Sequence, residues 1–435
     1  MAEIKQEYDG LVLGAGIAGM QAALDLAGQG FDVLLVERAP SIGGVMVGLN
    51  KVFPTLDCSS CICTPRMAEV AHHERITLLT YTELKHLERT ARGFSVTLVK
   101  KPRYVVEEDC IGCAKCELAC NVVVPHEFDY GLGAHAAVYI PHGNAIPQVA
   151  VLDPQYCMFD GACARACPTD CIDFTQQPEE INVQAGAVIL ATGLKLVPLD
   201  VKKEYGGGKY VNVMNPLAME RLQSPNGPYG HVMRPSDGKI PRSIAYVQCA
   251  GSRDKSIGVP YCSRICCMYA LKQGIMIRQH LPETEVTIYH MDIRAFGKGY
   301  EQFYRRAVGE GIRVVKAKVA RITEEPNKDL KLRVELIDEG GRVAEIRHDL
   351  VVLSQGVIPG WKPDGAAPVR IDEDGFFLIP EMAARPANSS HEGVFVAGVA
   401  TGPKDIPDAI VEAGAAAMEA AMYLGRSQAR AGGVQ

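Results

Sequence analysis

The sequence is poor in aromatic residues and in positive charge, and it contains no long uninterrupted apolar run. Aromatic side chains make up 6% of its 435 residues, tryptophan occurs once, and the formal net charge is −6. Such a chain offers no basic surface to nucleic acid, so nucleic acid is not an expected partner. Glycine or charge interrupts the apolar stretches well before the length that a membrane-spanning helix needs, so no span is expected.

The N-terminus also lacks the pattern of an export signal. No cationic segment and no cleavage site precede the first apolar strand. We therefore expect a cytoplasmic location, in which any attachment to a membrane is made through partner subunits. The chain nevertheless has 15 cysteines. Because disulfides are rare in the cytoplasm, clustered cysteines indicate metal or redox sites.

A glycine-rich turn between an apolar strand and a helix is the first motif. Gly14, Gly16 and Gly19 have the spacing G-x-G-x-x-G, and Glu37 ends the second strand about 20 residues later. The glycines let backbone amides approach a pyrophosphate at the helix N-terminus, and the carboxylate accepts from ribose hydroxyls. This pattern predicts a dinucleotide site. The other residues expected there are Arg38 and the glycines of the turn "SIGG", Gly43 and Gly44.

Two later segments indicate that the dinucleotide is FAD. The stretch "AGAVILATG" is an apolar strand that ends in a turn of small residues, and "GVFVAGVATGPKDIPDAI" leads through a glycine turn into an alanine-rich helix. Both resemble segments of two-dinucleotide-domain flavoproteins, in which the C-terminal turn and helix approach the flavin. Many relatives have an acid in that turn, but here the position is Val399. The residues expected to contact FAD are Ala191, Thr192, Gly193, Gly398 and Pro407.

A second nucleotide-binding domain is expected over 241–356, but it lacks its fingerprint. The strands "RSIAYVQ", "VTIYHMDIRA" and "LVVLSQG" are present, whereas "CAGSRDKSIGVPYCSRICC" replaces the glycine turn. We therefore expect no pyridine nucleotide in this domain. The replacement brings four cysteines to two loops around one helix start: Cys249, Cys262, Cys266 and Cys267.

Four soft thiolates suit either zinc or an iron–sulfur cluster. Iron–sulfur fits better beside a flavin that needs a one-electron outlet, and the adjacent pair Cys266 and Cys267 is awkward for a compact tetrahedral zinc site. The helix N-terminus also favours negative thiolates. Zinc, and cysteines that serve only as small buried residues, remain the alternatives.

A further cysteine motif interrupts the FAD domain. The segment "CIGCAKCELAC" has the spacing C-x2-C-x2-C-x3-C of bacterial ferredoxins. Downstream, "YCMFDGACARACPTDCIDF" repeats the pattern with Asp160 where a second cysteine belongs. The candidate ligands are Cys110, Cys113, Cys116 and Cys120 in the first segment and Cys157, Cys163, Cys167 and Cys171 in the second.

Ferredoxin-type crossing would place Cys167 with the first three cysteines of the first segment. Cys120 would then join Cys157 and Cys163, with Asp160 or Cys171 as the fourth ligand. The second cluster is accordingly complete, aspartate-ligated or a three-iron form.

The remaining cysteines are Cys58, Cys61 and Cys63 in "DCSSCIC". Their C-x2-C-x-C spacing is poor for a separate cluster because no fourth ligand is evident. A redox or docking role and a packing role are both open.

Taken together, "LGAGIAGMQAALDLAGQG", "DCSSCICTPRMAEV", "QCAGSRD", "YCSRICCMYALK" and "AGVATGPKDIPDAI" resemble the A subunit of heterodisulfide reductase. The A subunit of the quinone-interacting oxidoreductase complex and a subunit of class II benzoyl-CoA reductase belong to the same group. The resemblance spans nearly the whole chain. It implies an FAD-bearing electron-transfer hub in an anaerobic complex, with a four-iron cluster beside the flavin.

The resemblance also implies a role for Lys272 and a set of partners. A lysine five residues after the second of the paired cysteines lies near the flavin in relatives that bifurcate electron pairs, and here that residue is Lys272. The expected partners resemble the B and C subunits of heterodisulfide reductase, or are hydrogenase- or ferredoxin-linked subunits, in an oligomeric complex.

We therefore predict an α/β, two-dinucleotide-domain flavoprotein of the thioredoxin-reductase type with an inserted bacterial-ferredoxin-like domain. The expected function is an oxidoreductase subunit with FAD and two or three [4Fe–4S] clusters that relays, bifurcates or confurcates electrons. The alternatives are a stand-alone NAD(P)H-dependent flavin disulfide reductase and a zinc-bearing scaffold. The expected segments are 1–101, 179–240 and 357–435 for the FAD domain, 102–178 for the insert and 241–356 for the degenerate nucleotide domain.

Overall fold

A computed structural model describes residues 4–432 of the chain. The strands are β1 (Glu7–Leu13), β2 (Val33–Val36), β3 (Ile76–Leu79), β4 (Thr82–Thr90), β5 (Gly93–Lys100), β6 (Val123–Pro125), β7 (Ala134–Ala136), β8 (Val138–Tyr139), β9 (Val151–Leu152), β10 (Glu179–Leu190), β11 (Leu194–Leu196), β12 (Val213–Met214), β13 (Ser243–Ala250), β14 (Glu285–His290), β15 (Arg313–Glu324), β16 (Leu330–Leu336), β17 (Arg342–His348), β18 (Leu350–Gln355), β19 (Val357–Pro359) and β20 (Val394–Val396). The α-helices are α1 (Ile17–Gly28), α2 (Ser59–His72), α3 (Lys115–Ala119), α4 (Ala162–Ala166), α5 (Pro216–Gln223), α6 (Cys266–His280), α7 (Tyr300–Gly309) and α8 (Ile406–Gly432).

The chain divides into two compact units. The first runs from the N-terminal strand to Val47 and continues through Ile62–Leu194 and from Pro359 to the end of α8. The second consists of Gly48–Cys61 and Lys195–Ile358. Each unit is built from separate stretches of chain. The boundaries between the units therefore cannot be read from the amino-acid composition.

The first unit is organised around a sheet of order β3-β2-β1-β10-β5-β4, with β20 beside β10. Strands β1, β2, β3, β10 and β20 pair in parallel, whereas β5 and β4 pair antiparallel. The parallel strands are continuous apolar runs because both of their faces are covered. The parallel β1-α1-β2 unit brings the turn after β1 and the end of β2 to one carboxyl edge, where open α/β sheets bind ligands.

Helix α8 packs against α1 through alanines that have no measurable exposure, among them Ala413, Ala416 and Ala420. Small side chains let the two helices approach closely. No helix among residues 4–432 combines the length and the apolar character that a membrane crossing requires.

The segment 102–178 lies in the first unit and contains little regular structure. It has the short helices α3 and α4, which contact each other, and the two-stranded pairs β6–β7 and β8–β9. Its core combines aliphatic residues such as Val105, Val138 and Leu152 with buried cysteines. The ferredoxin-like identity of this segment remains a prediction.

The second unit has its own sheet of order β12-β18-β13-β14-β15-β16-β17. Strands β12, β18, β13, β14 and β15 pair in parallel, and β16 and β17 extend the sheet antiparallel. Helix α6 follows β13 and packs on the sheet through a set of side chains that is buried from Cys266 to Ile277. This is a second α/β layer of the nucleotide-binding type.

The unit boundaries differ from those expected from the sequence. We expected 179–240 to return to the FAD domain, but residues from Lys195 onward belong to the second unit. The reason is that β12 pairs with β18, with Val213 opposite Val351. The segment 48–61 joins the same unit, since Asn50 donates its backbone N–H to Glu220 at 3.0 Å. Strand β12 has only two residues, and Glu220 is a single buried carboxylate. Neither produces a periodic pattern from which the sequence could have predicted this boundary.

Candidate functional site

The glycine turn after β1 is so tightly packed that two of its glycines have no room for a side chain. A Cβ on Gly14, whose φ is +99°, would lie 2.4 Å from the carbonyl oxygen of Ala191. A Cβ on Gly19 would lie 1.7 Å from the carbonyl oxygen of Gly14. Gly14 is therefore required by its positive φ and by the approach of the turn to the end of β10, and Gly19 is required by the crossing of α1 over the turn.

Gly16 differs, because the residues that the structure describes leave the space in front of it open. Its Cβ would lie 4.0 Å from the Cα of Gly44, and no other neighbouring atom is nearer. Gly16 is the N-cap of α1 and supplies no side-chain hydrogen bond to the helix N-terminus. The backbone N–H groups of the first turn of α1 consequently face an open cradle that fits a pyrophosphate.

Glu37 lies at the end of β2 and is fixed at the same turn. Its carboxylate accepts from the backbone N–H groups of Ala15 at 2.7 Å and Ala39 at 2.8 Å. Burial raises the pKa of Glu37, and the backbone N–H donors oppose that rise. Arg38 points elsewhere and donates to the carbonyl oxygen of Gly360 at 3.1 Å. The carboxylate thus occupies the place where dinucleotide folds receive a ribose.

The other predicted dinucleotide residues border the same edge of the first unit. Gly43 has φ +110° and donates its N–H to the carbonyl oxygen of Ala15 at 2.9 Å. Ala191 continues β10 and donates to the carbonyl oxygen of Leu13 at 2.8 Å. It is followed by Thr192 and by Gly193, which has φ +66°.

The turn before α8 contains a buried lysine that sequence reasoning missed. Lys404 donates to the carbonyl oxygen of Gly398 at 2.8 Å and to Glu412 at 2.7 Å. Gly398 has φ +66°, and a Cβ there would lie 2.8 Å from the Cβ of Ala18. Pro407 lies in the first turn of α8. Lys404 therefore holds the turn before α8 in shape. In the sequence, this role is marked only by the position of the lysine between a glycine turn and a helix.

The four cysteines of the second unit lie close together. Cys249 is the penultimate residue of β13 and has φ 56°, Cys262 lies in the following loop, and Cys266 and Cys267 open α6. Ionisation of Cys249, Cys262 or Cys267 would raise the pKa of Cys266, so the four thiols share one neighbourhood. None of these cysteines forms a disulfide.

Burial controls the protonation of this thiol group. It raises the pKa of Cys249 and Cys266, and it raises the pKa of Cys267 to about 11. Cys266 donates to the carbonyl oxygen of Gln355 at 3.5 Å, and Cys267 to that of Asp292 at 3.8 Å. Burial thus disfavours the thiolate form of Cys249, Cys266 and Cys267, and a bound cation such as cluster iron would favour it.

No group of three or more His, Cys, Asp or Glu side chains within residues 4–432 converges as ligands of a single metal ion. A four-iron cluster differs in this respect, because each thiolate binds its own iron at a separate corner. The four thiols around Cys266 are soft donors in one neighbourhood, a donor set that fits an iron–sulfur cluster with one thiolate for each iron.

Lys272 lies on α6 and is buried with a carboxylate. It forms an ion pair with Glu220 of α5, and both side chains are 2% exposed. Gln273 also donates to Glu220, and Asn50 adds its backbone N–H to the other carboxylate oxygen. Burial lowers the pKa of Lys272, and the charge of Glu220 opposes that shift. Sequence reasoning singled out Lys272 but missed Glu220.

The cysteines of the segment 102–178 gather around α3 and α4. Cys116 is buried on α3, and the charges of Cys110 and Cys113 act on it. Cys163 is buried on α4, and the charges of Cys157 and Cys120 act on it. Cys120 is thus close to the second motif although it belongs to the first, while the ferredoxin-type crossing of ligands stays a prediction.

Cys167 and Cys171 form a separate contact. Their sulfur atoms are 3.4 Å apart, and the charge of Cys110 also acts on Cys171. Burial raises the pKa of Cys171 to about 12. Asp160 is exposed and accepts from the backbone N–H of Ala162 at 2.9 Å.

The three cysteines before and within α2 have different surroundings. Cys61 is exposed and donates its backbone N–H to the sulfur of Cys58 at 3.2 Å. Cys63 is buried, and burial raises its pKa to about 12. Cys58 and Cys61 belong to the second unit, whereas Cys63 belongs to the first.

These features define a class: a dinucleotide-binding flavoprotein with two α/β units, in which cysteines replace the glycine turn of the second unit. The chain belongs to the pyridine nucleotide-disulphide oxidoreductase family, whose model matches residues 8–417. This confirms the predicted two-dinucleotide-domain fold.

Solved structures agree on the fold. Thioredoxin reductase from T. acidophilum is 16% identical with a TM-score of 0.54, over 97% of this chain and 99% of that one. Thioredoxin reductase from Lactococcus lactis is 15% identical with a TM-score of 0.55, over 96% of this chain and 99% of that one. At these identities the likeness concerns the fold alone.

Curated relatives are much closer in sequence. The chain is 46% identical to the iron–sulfur A subunit of the CoB–CoM heterodisulfide reductase of Methanocaldococcus jannaschii, over 97% of this chain and 65% of the relative. It is 44% identical to the A subunit of the H2:CoB–CoM heterodisulfide, ferredoxin reductase of Methanothermobacter marburgensis, over 97% of this chain and 64% of the relative. The predicted resemblance to the A subunit of heterodisulfide reductase is confirmed. The chain spans less than two thirds of the length of these relatives.

Proposed function

We propose that this chain is an FAD- and iron–sulfur-containing electron-transfer subunit of an oxidoreductase complex of the heterodisulfide reductase type. One observation carries the proposal. Four cysteines lie together at the end of β13 and the start of α6, where the second unit would otherwise have a nucleotide-binding glycine turn. The names of the relatives, which include an iron–sulfur subunit and a ferredoxin reductase subunit, support it.

The first unit supplies the FAD site. The helix N-terminus behind Gly16 receives the pyrophosphate, Glu37 accepts from the ribose, and Lys404 holds the turn at Gly398 in place. FAD, when bound, can accept electrons in pairs and release them one at a time, which matches iron–sulfur clusters that take single electrons. Cys249, Cys262, Cys266 and Cys267 are the proposed ligands of a cluster in the second unit.

The segment 102–178 provides the remaining clusters in this proposal. Its thiols fall into two neighbourhoods, one at Cys110, Cys113 and Cys116 and one at Cys120, Cys157 and Cys163. With the central group, this makes up to three clusters. The names of the relatives favour other subunits of a heterodisulfide reductase complex as partners. A cytoplasmic location, the division of electron pairs between two acceptors and a role of Lys272 beside the flavin belong to the same proposal.

A stand-alone NAD(P)H-dependent reductase is not favoured. Strand β13 ends with Cys249 and Ala250, and the 15 residues 251–265 then precede α6, in place of a short glycine turn that leads directly into a helix. The second unit thus lacks the close backbone approach that a pyridine nucleotide requires.

Spectroscopy and metal analysis of anaerobically purified protein test the proposal. We expect the FAD spectrum together with a broad visible absorbance that dithionite bleaches, and about eight to twelve irons per chain. NADH and NADPH should not reduce the flavin without partner subunits. Protein that holds zinc but no iron, or rapid flavin reduction by NADH, would contradict the proposal.

A further inference from the structure

The segment 102–178 contains an internal repeat that extends beyond the cysteine spacing to the backbone. Cys110 and Cys157 are 47 positions apart, and the same separation relates the residues around them. In the first copy, Cys110 donates its N–H to the carbonyl oxygen of Val106 at 3.1 Å. In the second copy, Cys157 donates to that of Asp153, also at 3.1 Å.

The repeat continues through both short helices. Helix α3 is preceded by Ala114 in the left-handed region, with φ 57°, and α4 by Gly161, with φ 71°. After the helices, Cys120 donates to the carbonyl oxygen of Glu117 at 3.3 Å, and Cys167 to that of Ala164 at 3.2 Å. The two copies are therefore the same local structure twice.

Within this repeat, Asp160 takes the place of Cys113. Each directly precedes the left-handed residue that starts its helix, and each is exposed, whereas the next ligand position is buried in both copies (Cys116 and Cys163). The carboxylate of Asp160 is thus at the corner of the second site that a thiol occupies in the first.

Cys171 belongs beside the first motif instead. Its carbonyl oxygen accepts from the N–H of Val106 at 2.7 Å, four residues before Cys110. In the other copy the corresponding residue is Asp153, four residues before Cys157. Its N–H donates to the carbonyl oxygen of Ala137 at 2.8 Å. Ala137 is buried and has no ligand atom in its side chain, so the residue that makes this backbone contact in the other copy is not a ligand.

We propose that Asp160 is the fourth ligand of the second cluster and that Cys171 ligates neither cluster. The inference rests on the proposed function, which places clusters in this segment. A carboxylate is a harder ligand than a thiolate and binds cluster iron less strongly. The iron at Asp160 is therefore the one that leaves: one-electron oxidation of a four-iron cluster of charge 2+ releases Fe²⁺ and leaves a three-iron cluster of charge 1+, with the electron passing to the oxidant.

Electron paramagnetic resonance of the full chain, oxidised anaerobically with ferricyanide, tests this ligand set. The wild-type protein should show one three-iron signal per chain and release about one Fe²⁺. Asp160→Cys should abolish the signal and retain the iron. The mirror change, Cys113→Asp, should add a second three-iron signal, and Cys171→Ala should leave both signal and iron unchanged.

Three results would overturn the ligand assignment. Loss of either cluster in Cys171→Ala would make Cys171 a ligand, and its contact with Cys167 at 3.4 Å makes the first cluster part of this test. Persistence of the three-iron signal in Asp160→Cys would place that signal at another cluster. Absence of that signal in the oxidised wild type would show a fully thiolate-ligated site. If the wild-type chain bound only the iron of the central group, the clusters of the proposed function would fail as well, so the two failures are distinguishable.

Discussion

At the scale of single residues, neighbouring glycines of one motif have different tasks. Gly19 allows α1 to cross the turn, because any side chain would meet the carbonyl oxygen of Gly14. Gly16 has free space in front of it, which only a ligand would fill. The fingerprint therefore combines a packing requirement with a binding requirement.

Gly16→Ala should separate these tasks. Its Cβ meets no protein atom closer than 4.0 Å, so the thermal unfolding midpoint of the FAD-free chain should stay unchanged. FAD binding should weaken about tenfold or more, equivalent to about 1.4 kcal/mol, because the methyl group enters the pyrophosphate cradle. Flavin titration measures this effect.

Two further glycine variants serve as controls for the effect of Gly16→Ala on FAD binding. Gly28→Ala, at the other end of α1, has no atom near its Cβ and should leave FAD affinity unchanged. Gly19→Ala should lower both the unfolding midpoint and FAD binding. Wild-type affinity in Gly16→Ala would place the pyrophosphate elsewhere.

The buried ion pair between Lys272 and Glu220 shows how single residues affect the stability of the second unit. Lys272→Met leaves the carboxylate of Glu220 buried without its cation, and we expect a loss of about 3–5 kcal/mol in the free energy of unfolding. The double variant Lys272→Met/Glu220→Leu should recover much of that loss because no charge remains. Urea unfolding measures both, and a single variant as stable as the wild type would show that the pair is not buried.

At the scale of elements, one histidine joins three strands of the second unit. His348 ends β17, where its ring contacts the hydroxyl of Ser243 in β13 and that of Tyr289 in β14, both at 2.9 Å. Burial lowers the pKa of His348 to about 4. The folded unit therefore holds this ring neutral at pH values at which the unfolded chain protonates it.

This histidine should make the second unit sensitive to mild acid. Because the unfolded chain binds the extra proton, the contribution of His348 to stability is complete above pH about 6.5 and falls progressively towards pH about 4. His348→Gln should flatten this part of the pH dependence of the urea midpoint. His72→Gln, on the exposed surface of α2, is the matched control. Equal slopes in wild type and His348→Gln would refute the prediction.

At the scale of the whole molecule, the proposed cofactors are divided between the two units. The FAD residues and the segment 102–178 lie in the first unit, whereas the central cysteines all lie in the second. Damage to one cofactor site should therefore leave the others intact.

Cys266→Ala should lower the iron content by about four per chain or leave a three-iron form in the second unit. FAD and the iron of the segment 102–178 should remain, while electron flow to partner subunits should collapse. Cys61→Ala, an exposed cysteine outside the proposed ligand groups, is the control. If Cys266→Ala kept its full iron content and full electron flow, the central cysteines would be packing residues and not cluster ligands.

The sequence by itself determined the features that depend on neighbours along the chain. The G-x-G-x-x-G turn with Glu37, the fold class and the cysteine spacings are of this kind, because a turn and a ligand loop are short-range structures. Only the tertiary structure decided which residues pair across long separations. It placed Glu220 against Lys272, Lys404 at the turn of Gly398, residues from Lys195 onward in the second sheet and Cys171 beside Val106. Burial and strand pairing between distant segments fix these contacts, and neither leaves a periodic pattern in the sequence.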